Sequence, residues 1–152
     1  MKSSIVFCIV LAVVVPIFGA PNSKDGNTKR YHMEPFFKTN WYRSMAFCHN
    51  MGMRLISIQS EEEQEKIVNI INEAGHHDES FWMAATNLGD TIFYWFDTGK
   101  KISFKNWARG EPDNDRRQCI ALYNEKELLW NDIDCNEQHR IICEEDIKTN
   151  SI

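Results

Sequence analysis

The first apolar block is the run from Ile5 to Val15, set behind Met1-Lys2-Ser3-Ser4 and ahead of Pro16 and the small pair Gly19-Ala20. Such a run is too short to span a bilayer, and its flanks read as a secretory signal over residues 1–20. Pro21 to Arg30 is polar and small, a tail with little to order it. Tyr31 to Phe37 is mixed apolar and predicts a first strand, with Pro35 marking an edge or an end. Next, Trp41, Met45 and Cys48 fall at i, i+4 and i+7, the stripe of a helix capped by Asn40 and stopped by Gly52. Arg54 to Gln59 alternates as a short strand. Ser60 with Glu63 is a capping box, and Ile67, Ile70, Ile71 and Ala74 line a second helix that Gly75 ends.

Beyond Ser80 the period becomes two. Strands are predicted at Phe81 to Ala85, Ile92 to Phe96 and Ile102 to Phe104, with turns at Asn87-Leu88-Gly89-Asp90 and Asp97-Thr98-Gly99. Further strands follow at Gln118 to Tyr123, Leu128 to Trp130 and Arg140 to Cys143. The aromatics gathered here, among them Trp82, Phe93, Trp95 and Phe104, read as core beneath the two helices rather than a stacking platform. Helices early and strands late describe an α+β domain.

One stretch follows neither period. Asn106-Trp107-Ala108-Arg109-Gly110-Glu111-Pro112-Asp113-Asn114 runs on past Cys119 to Trp130-Asn131-Asp132, and it concentrates acids and amides around a Gly and a Pro. Carboxylate and amide oxygens on irregular backbone are the ligand set of a hard cation such as calcium. A cation with open positions can in turn bind a polyhydroxy compound.

Composition narrows the field. The chain has 152 residues and a formal net charge of −5, which gives no reason to expect nucleic acid or an anionic membrane as partner. The acidic run Glu61-Glu62-Glu63 suits the positive end of a helix dipole, and His76-His77, with no third ligand in view, reads as a solvated loop. Of five cysteines, Cys8 lies inside the signal and leaves with it. The remaining Cys48, Cys119, Cys135 and Cys143 read as two disulfides with three possible pairings. A Cys119–Cys135 bridge would close a loop around Trp130-Asn131-Asp132, and Cys48 with Cys143 would tie an early element to the last strand. Zinc is disfavoured, since no Cys-x-x-Cys pair is present. No nucleophile–base motif, His-Glu-x-x-His or phosphate loop appears, so an enzyme is not expected.

Trp107-x-x-Gly110-Glu111-Pro112-Asp113, Cys119, Trp130-Asn131-Asp132, Cys135 and Ile141-Ile142-Cys143-Glu144 together resemble a C-type lectin-like domain, over residues 31–145. A short tail, 146–152, would follow it. The likeness is to the short form with two disulfides, and in size and layout to secreted single-domain arthropod lectins of innate immunity. It implies pairing of Cys48 with Cys143 and of Cys119 with Cys135. It also implies a calcium ion held by Glu111, Asp113, Asn131 and Asp132, the same side chains hydrogen-bonding the sugar, and a cis proline at Pro112. Implied partners are mannose- or galactose-type glycans on microbial or host surfaces. With no unpaired cysteine and no stalk, multivalency would need non-covalent self-association.

Two departures from the family pattern bear on function. The family places a glutamate two residues before the first loop cysteine, and here that position is Arg117, which repels a cation. Asp115 or a shifted backbone would then have to supply the missing oxygen. The alternative is therefore a calcium-independent protein-binding domain in which Arg117, with Arg116, replaces the ion. Glu111 with Asp113 also pairs acceptor with acceptor, which loses the asymmetry that separates mannose from galactose types. For a second ion site, Asn87 and Asp90 are the nearby candidates.

Overall fold

The computed structural model describes residues 28–113, 118–123 and 127–147. The signal, residues 21–27 of the tail, Asp115, Arg116, Arg117 and residues 148–152 lie outside the described residues.

The order of elements is β1 (Thr28–Thr39), α1 (Trp41–Asn50), β2 (Arg54–Leu55), α2 (Glu61–Glu73), β3 (Phe81–Thr86), β4 (Tyr94–Trp95), β5 (Cys119–Tyr123), β6 (Leu129–Ile133) and β7 (His139–Ile147). The strands join in the order β1-β7-β3-β5-β6, with β2 beside β7 and β4 beside β3. First and last strands therefore lie together, antiparallel, from Thr28 opposite Ile147 to Glu34 opposite Ile141. This is the α+β architecture expected, with both helices early and the sheet completed late.

Both helices start where their caps dictate. Asn40 Oδ1 accepts from the Arg43 N–H at 2.9 Å, and Ser60 Oγ accepts from the Glu63 N–H at 3.2 Å. Glu63 Oε2 reaches back to the Gln59 N–H at 2.7 Å, one residue earlier than a standard capping box would. On α2 the buried face is Gln64, Ile67 and Ile71, whereas Ala74 is exposed just past the helix. The stripe stops a turn sooner than expected because Gly75, at φ +75°, turns the chain away.

The remaining corrections concern strand limits. β1 begins at Thr28, so Thr28 to Arg30 are sheet and not tail, and β7 takes in Asp146 and Ile147. Ion pairs hold both ends. Arg54 Nη1 bonds Asp146 Oδ2 at 2.8 Å, and the Lys29 ammonium meets Glu63 Oε1 at 2.8 Å and Glu144 Oε2 at 3.2 Å. Lys29 Nζ also donates to the Ser57 carbonyl at 3.0 Å. Burial pushes the Glu144 carboxyl above the ordinary glutamate range, against the pull of Lys29. Ile56 to Gln59, Ile92, Phe93, Phe96 and Ile102 to Phe104 are not strand; the Gln59 N–H goes to the Glu63 carboxylate, and the Ile102 N–H donates to the Phe93 carbonyl at 3.2 Å.

The core holds Trp41, Leu55, Ile67, Ile71, Phe81, Trp82, Ile120, Leu122, Trp130 and Ile141, all buried. Two disulfides pin it. Cys48 on α1 joins Cys143 on β7, and Cys119 at the start of β5 joins Cys135 just after β6. The second bridge closes the β5–β6 hairpin at its open end.

Candidate functional site

Trp130 is the anchor of the site. Its indole is wholly buried between Trp95, Phe104 and Trp107, at ring centroid distances of 6.0, 5.7 and 5.7 Å. Its backbone holds the incoming loop: the Trp130 N–H donates to the Asn106 carbonyl, and the Trp130 carbonyl accepts from the Ala108 N–H, both at 2.8 Å. The Trp130 Nε1–H donates to Gln64 Oε1 at 2.8 Å, while Gln64 Nε2 donates to the Leu128 carbonyl at 3.0 Å. Gln64 was not singled out from sequence. Its signal was available, a polar residue in helical register with Ile67 and Ile71 on a buried face.

The chain past Ala108 then turns. Glu111 N–H donates back to the Ala108 carbonyl at 3.1 Å, and Gly110 sits at φ +92°, a conformation that side-chain-bearing residues rarely adopt. The Glu111–Pro112 peptide is cis. Asp113 follows, and its N–H points at two carboxylates, Glu111 Oε2 at 3.1 Å and Asp132 Oδ1 at 3.2 Å. Glu111, Asp113 and Asp132 each offer an oxygen, and these oxygens lie within 4.8 Å of one another. Glu111 is half-buried, Asp113 exposed and Asp132 fully buried.

Three carboxylates at this spacing repel. The Glu111 carboxyl is pushed above its ordinary range by burial first, then by its hydrogen bond to Asp132 and the charges of Asp113 and Asp132; the Asp113 N–H opposes this. Asn131 stands beside Asp132 on β6. Its Oδ1 is buried and has no hydrogen-bond partner, an arrangement that costs about 1–3 kcal/mol unless something supplies a positive pole. A hard cation would relieve both, since calcium takes carboxylate and amide oxygens alike. The residues present thus fit such an ion.

The placement of the predicted residues is as follows. Glu111, Asp113 and Asp132 are gathered. Asn131 precedes Asp132 on β6, and among the described residues no hydrogen bond ties its side chain to the three acids. Asn131 and Asp132 stand on a strand, paired to Ala121 and Ile120, and not on irregular backbone as expected. That correction has a physical cause: the hydrogen bonds of β5 extend β6 to Ile133, beyond the apolar run that marked it in the sequence. Asn87 also has a buried Oδ1 without a partner, while Asp90 Oδ1 accepts the Thr91 N–H at 2.6 Å and Asp90 is not among the three gathered acids. A separate recess of about 670 Å³ lies between the starts of β1 and α2, where Lys29, Arg54 and Glu63 are already ion-paired. It shares no residue with the carboxylate cluster. Among the described residues no helix is long and apolar enough to cross a membrane.

The whole is a two-disulfide α+β domain whose carboxylate cluster is shared between β6 and a loop packed on Trp107 and Trp130. The chain belongs to the C-type lectin family: the family model for the lectin C-type domain matches residues 37–145. Among curated relatives, the C-type lectin mosGCTL-7 of Aedes aegypti is 28% identical over 127 residues, 75% of this chain and 85% of that protein. Among solved structures, the mouse scavenger receptor C-type lectin carbohydrate-recognition domain is 30% identical, with a TM-score of 0.69 over 81% of this chain and 92% of that one. The C-type lectin domain of murine dendritic cell inhibitory receptor 2, solved in complex with N-glycan, is 26% identical, with a TM-score of 0.69 over 79% and 92%.

Proposed function

We propose that this protein is a secreted lectin that binds glycans through a calcium ion held by Glu111, Asp113, Asn131 and Asp132. The observation that carries the reading is the gathering of three carboxylates, Glu111, Asp113 and Asp132, each with an oxygen within 4.8 Å of the others. The buried, unpartnered Asn131 Oδ1 adds to it. Calcium supplies open coordination positions at which two neighbouring sugar hydroxyls bind. The protein's own part is to hold four oxygen donors in place. Trp130 and Trp107 clamp the loop, Gly110 turns it, and the Asp113 N–H bonds two of the carboxylates.

Secretion is supported by the apolar leader and by two disulfides, which persist in oxidising compartments. Mannose- or galactose-type glycans on microbial or host surfaces are the partners that this reading names, with innate recognition as the setting. A relative solved with N-glycan supports the ligand class. Avidity for such surfaces would come from non-covalent self-association.

The test is thermal melting in millimolar calcium against chelator. A ligand selective for the folded state raises stability by about 1.4 kcal/mol at tenfold excess over Kd, so the melt shifts upward. No shift would sink the ion-dependent reading and favour the calcium-independent domain with Arg117 in place of the ion. Retention on immobilised mannose or galactose, with release by chelator, then identifies the sugar.

A further inference from the structure

Immediately before the carboxylates, the chain from Gly99 to Gly110 reads Gly-Lys-Lys-Ile-Ser-Phe-Lys-Asn-Trp-Ala-Arg-Gly. Lys100, Lys101, Lys105 and Arg109 are four cations with no acid among them, in a chain whose formal net charge is −5. All four are exposed. None enters an ion pair among the described residues, whereas Lys29, Arg30, Lys38, Arg54 and Arg140 each pair with a carboxylate. The apolar residues of the same segment do the anchoring. Ile102 is buried, and Phe104 and Trp107 pack against Trp130. The segment is therefore fixed in place with its positive charges left to solvent.

Its position relative to the carboxylates is fixed as well. Lys105 precedes Asn106, whose carbonyl accepts the Trp130 N–H, and Arg109 follows Ala108, whose N–H donates to the Trp130 carbonyl. Both cations thus flank the backbone bonds that seat Asn131 and Glu111 in the site. Lys101 lies further along, bridged to Tyr94. Lys100 to Arg109 spans at most ~30 Å of chain, the scale of a few sugar units.

We propose that this basic strip is a second contact surface for anionic glycans: chains bearing sulfate or uronate groups whose sugar ring is held at the neighbouring ion site. The inference rests on the lectin reading and names its substrate class. An unpaired cation strip beside a sugar site attracts negative charge on the same polymer, raises its encounter rate and discriminates it from a neutral polymer. Acidic proteins or lipid surfaces would not use the ion site, which makes the ion dependence diagnostic.

The experiment compares mannan and galactan with their sulfated derivatives, in millimolar calcium and in chelator, at low and at 0.5 M salt. Expected is roughly tenfold tighter binding of a sulfated polymer than of its neutral parent, as a few exposed charge contacts provide, fading at high salt. Chelator abolishes binding of both. The variant with Lys100, Lys101, Lys105 and Arg109 all changed to Gln binds the neutral polymer as before and loses the preference for sulfate. A second variant with the three lysines changed to Arg keeps that preference. Equal binding of sulfated and neutral polymers overturns the strip while leaving the lectin reading intact. Sulfated polymer bound equally in chelator overturns the joint use of the two surfaces. Neither polymer bound in calcium overturns the lectin reading itself.

Discussion

The indole N–H of Trp130 donates to Gln64 Oε1 at 2.8 Å, and both side chains are buried. The bond ties the strand that carries Asn131 and Asp132 to α2, a helix with no residue in the site. Replacing Gln64 by Leu leaves the Trp130 N–H and the Leu128 carbonyl buried and unpaired. The expected cost is about 2–4 kcal/mol, read as a lower midpoint in chemical denaturation. Calcium affinity should also fall, because the strand loses its fixed seat; unchanged affinity would show that the disulfide and the β5 ladder suffice to hold it.

Asp132→Asn separates the ion from the fold. Without calcium the variant removes one of three crowded charges, so it should melt at or above the wild-type temperature. With calcium the upward shift should vanish. A variant that melts lower in chelator would mean that Asp132 is held by contacts its charge requires.

Glu111 gives the calcium-free protein an unusual pH response. Its carboxyl is raised above the ordinary value of 4.5, so the folded state binds that proton more tightly than the unfolded state does. The stability it contributes is present below 4.5 and is lost as pH rises through the raised value. In chelator, Glu111→Gln should therefore match wild type at acid pH and exceed it at pH 7. A constant difference across this range would contradict the crowding.

His139 works in the opposite direction. It stands edge-on to Trp82, with ring centroids 4.8 Å apart, and burial lowers its pKa below 6.5, against the pull of Glu137. A depressed histidine contributes stability that is present above its ordinary pKa and lost as pH falls through the folded one. Wild type should lose stability below about pH 6.5 faster than His139→Gln does, in melts taken between pH 7 and 5.

Lys29→Met tests the buried ion cluster away from the site. Glu144 would keep Arg54, with Nε and Oε1 3.0 Å apart, and the Ser57 hydroxyl at 2.7 Å, yet lose its most enclosed cation. Removing one partner of a buried pair costs about 3–5 kcal/mol. The cost should shrink at acid pH, where Glu144 takes up a proton. Equal cost at pH 4 and pH 7 would place the effect in packing instead.

Local signals carried most of this protein. The caps at Asn40 and Ser60, the stop glycines and the helix stripes, save for Ala74 at the end of the second, are short-range facts of the chain and fall where the residue pattern put them. The acids Glu111, Asp113 and Asp132 were named by the family resemblance, and the structure brings their oxygens together. The sequence spacing left three disulfide pairings open, and the family resemblance chose the one found.

What tertiary structure alone decided are pairings between distant segments. Thr28 to Arg30 become strand because β7 offers them a ladder and Glu63 and Glu144 receive the Lys29 ammonium. Ile102 to Phe104 look like strand, yet the Ile102 N–H finds the Phe93 carbonyl in a loop and the Phe104 ring packs on Trp130. Asn131 and Asp132 lie on β6 because β5 pairs with them, a bond pattern that no window of sequence contains. Local periodicity fixes which residues turn inward, while only the folded chain determines which backbone groups meet, and here that meeting builds the site.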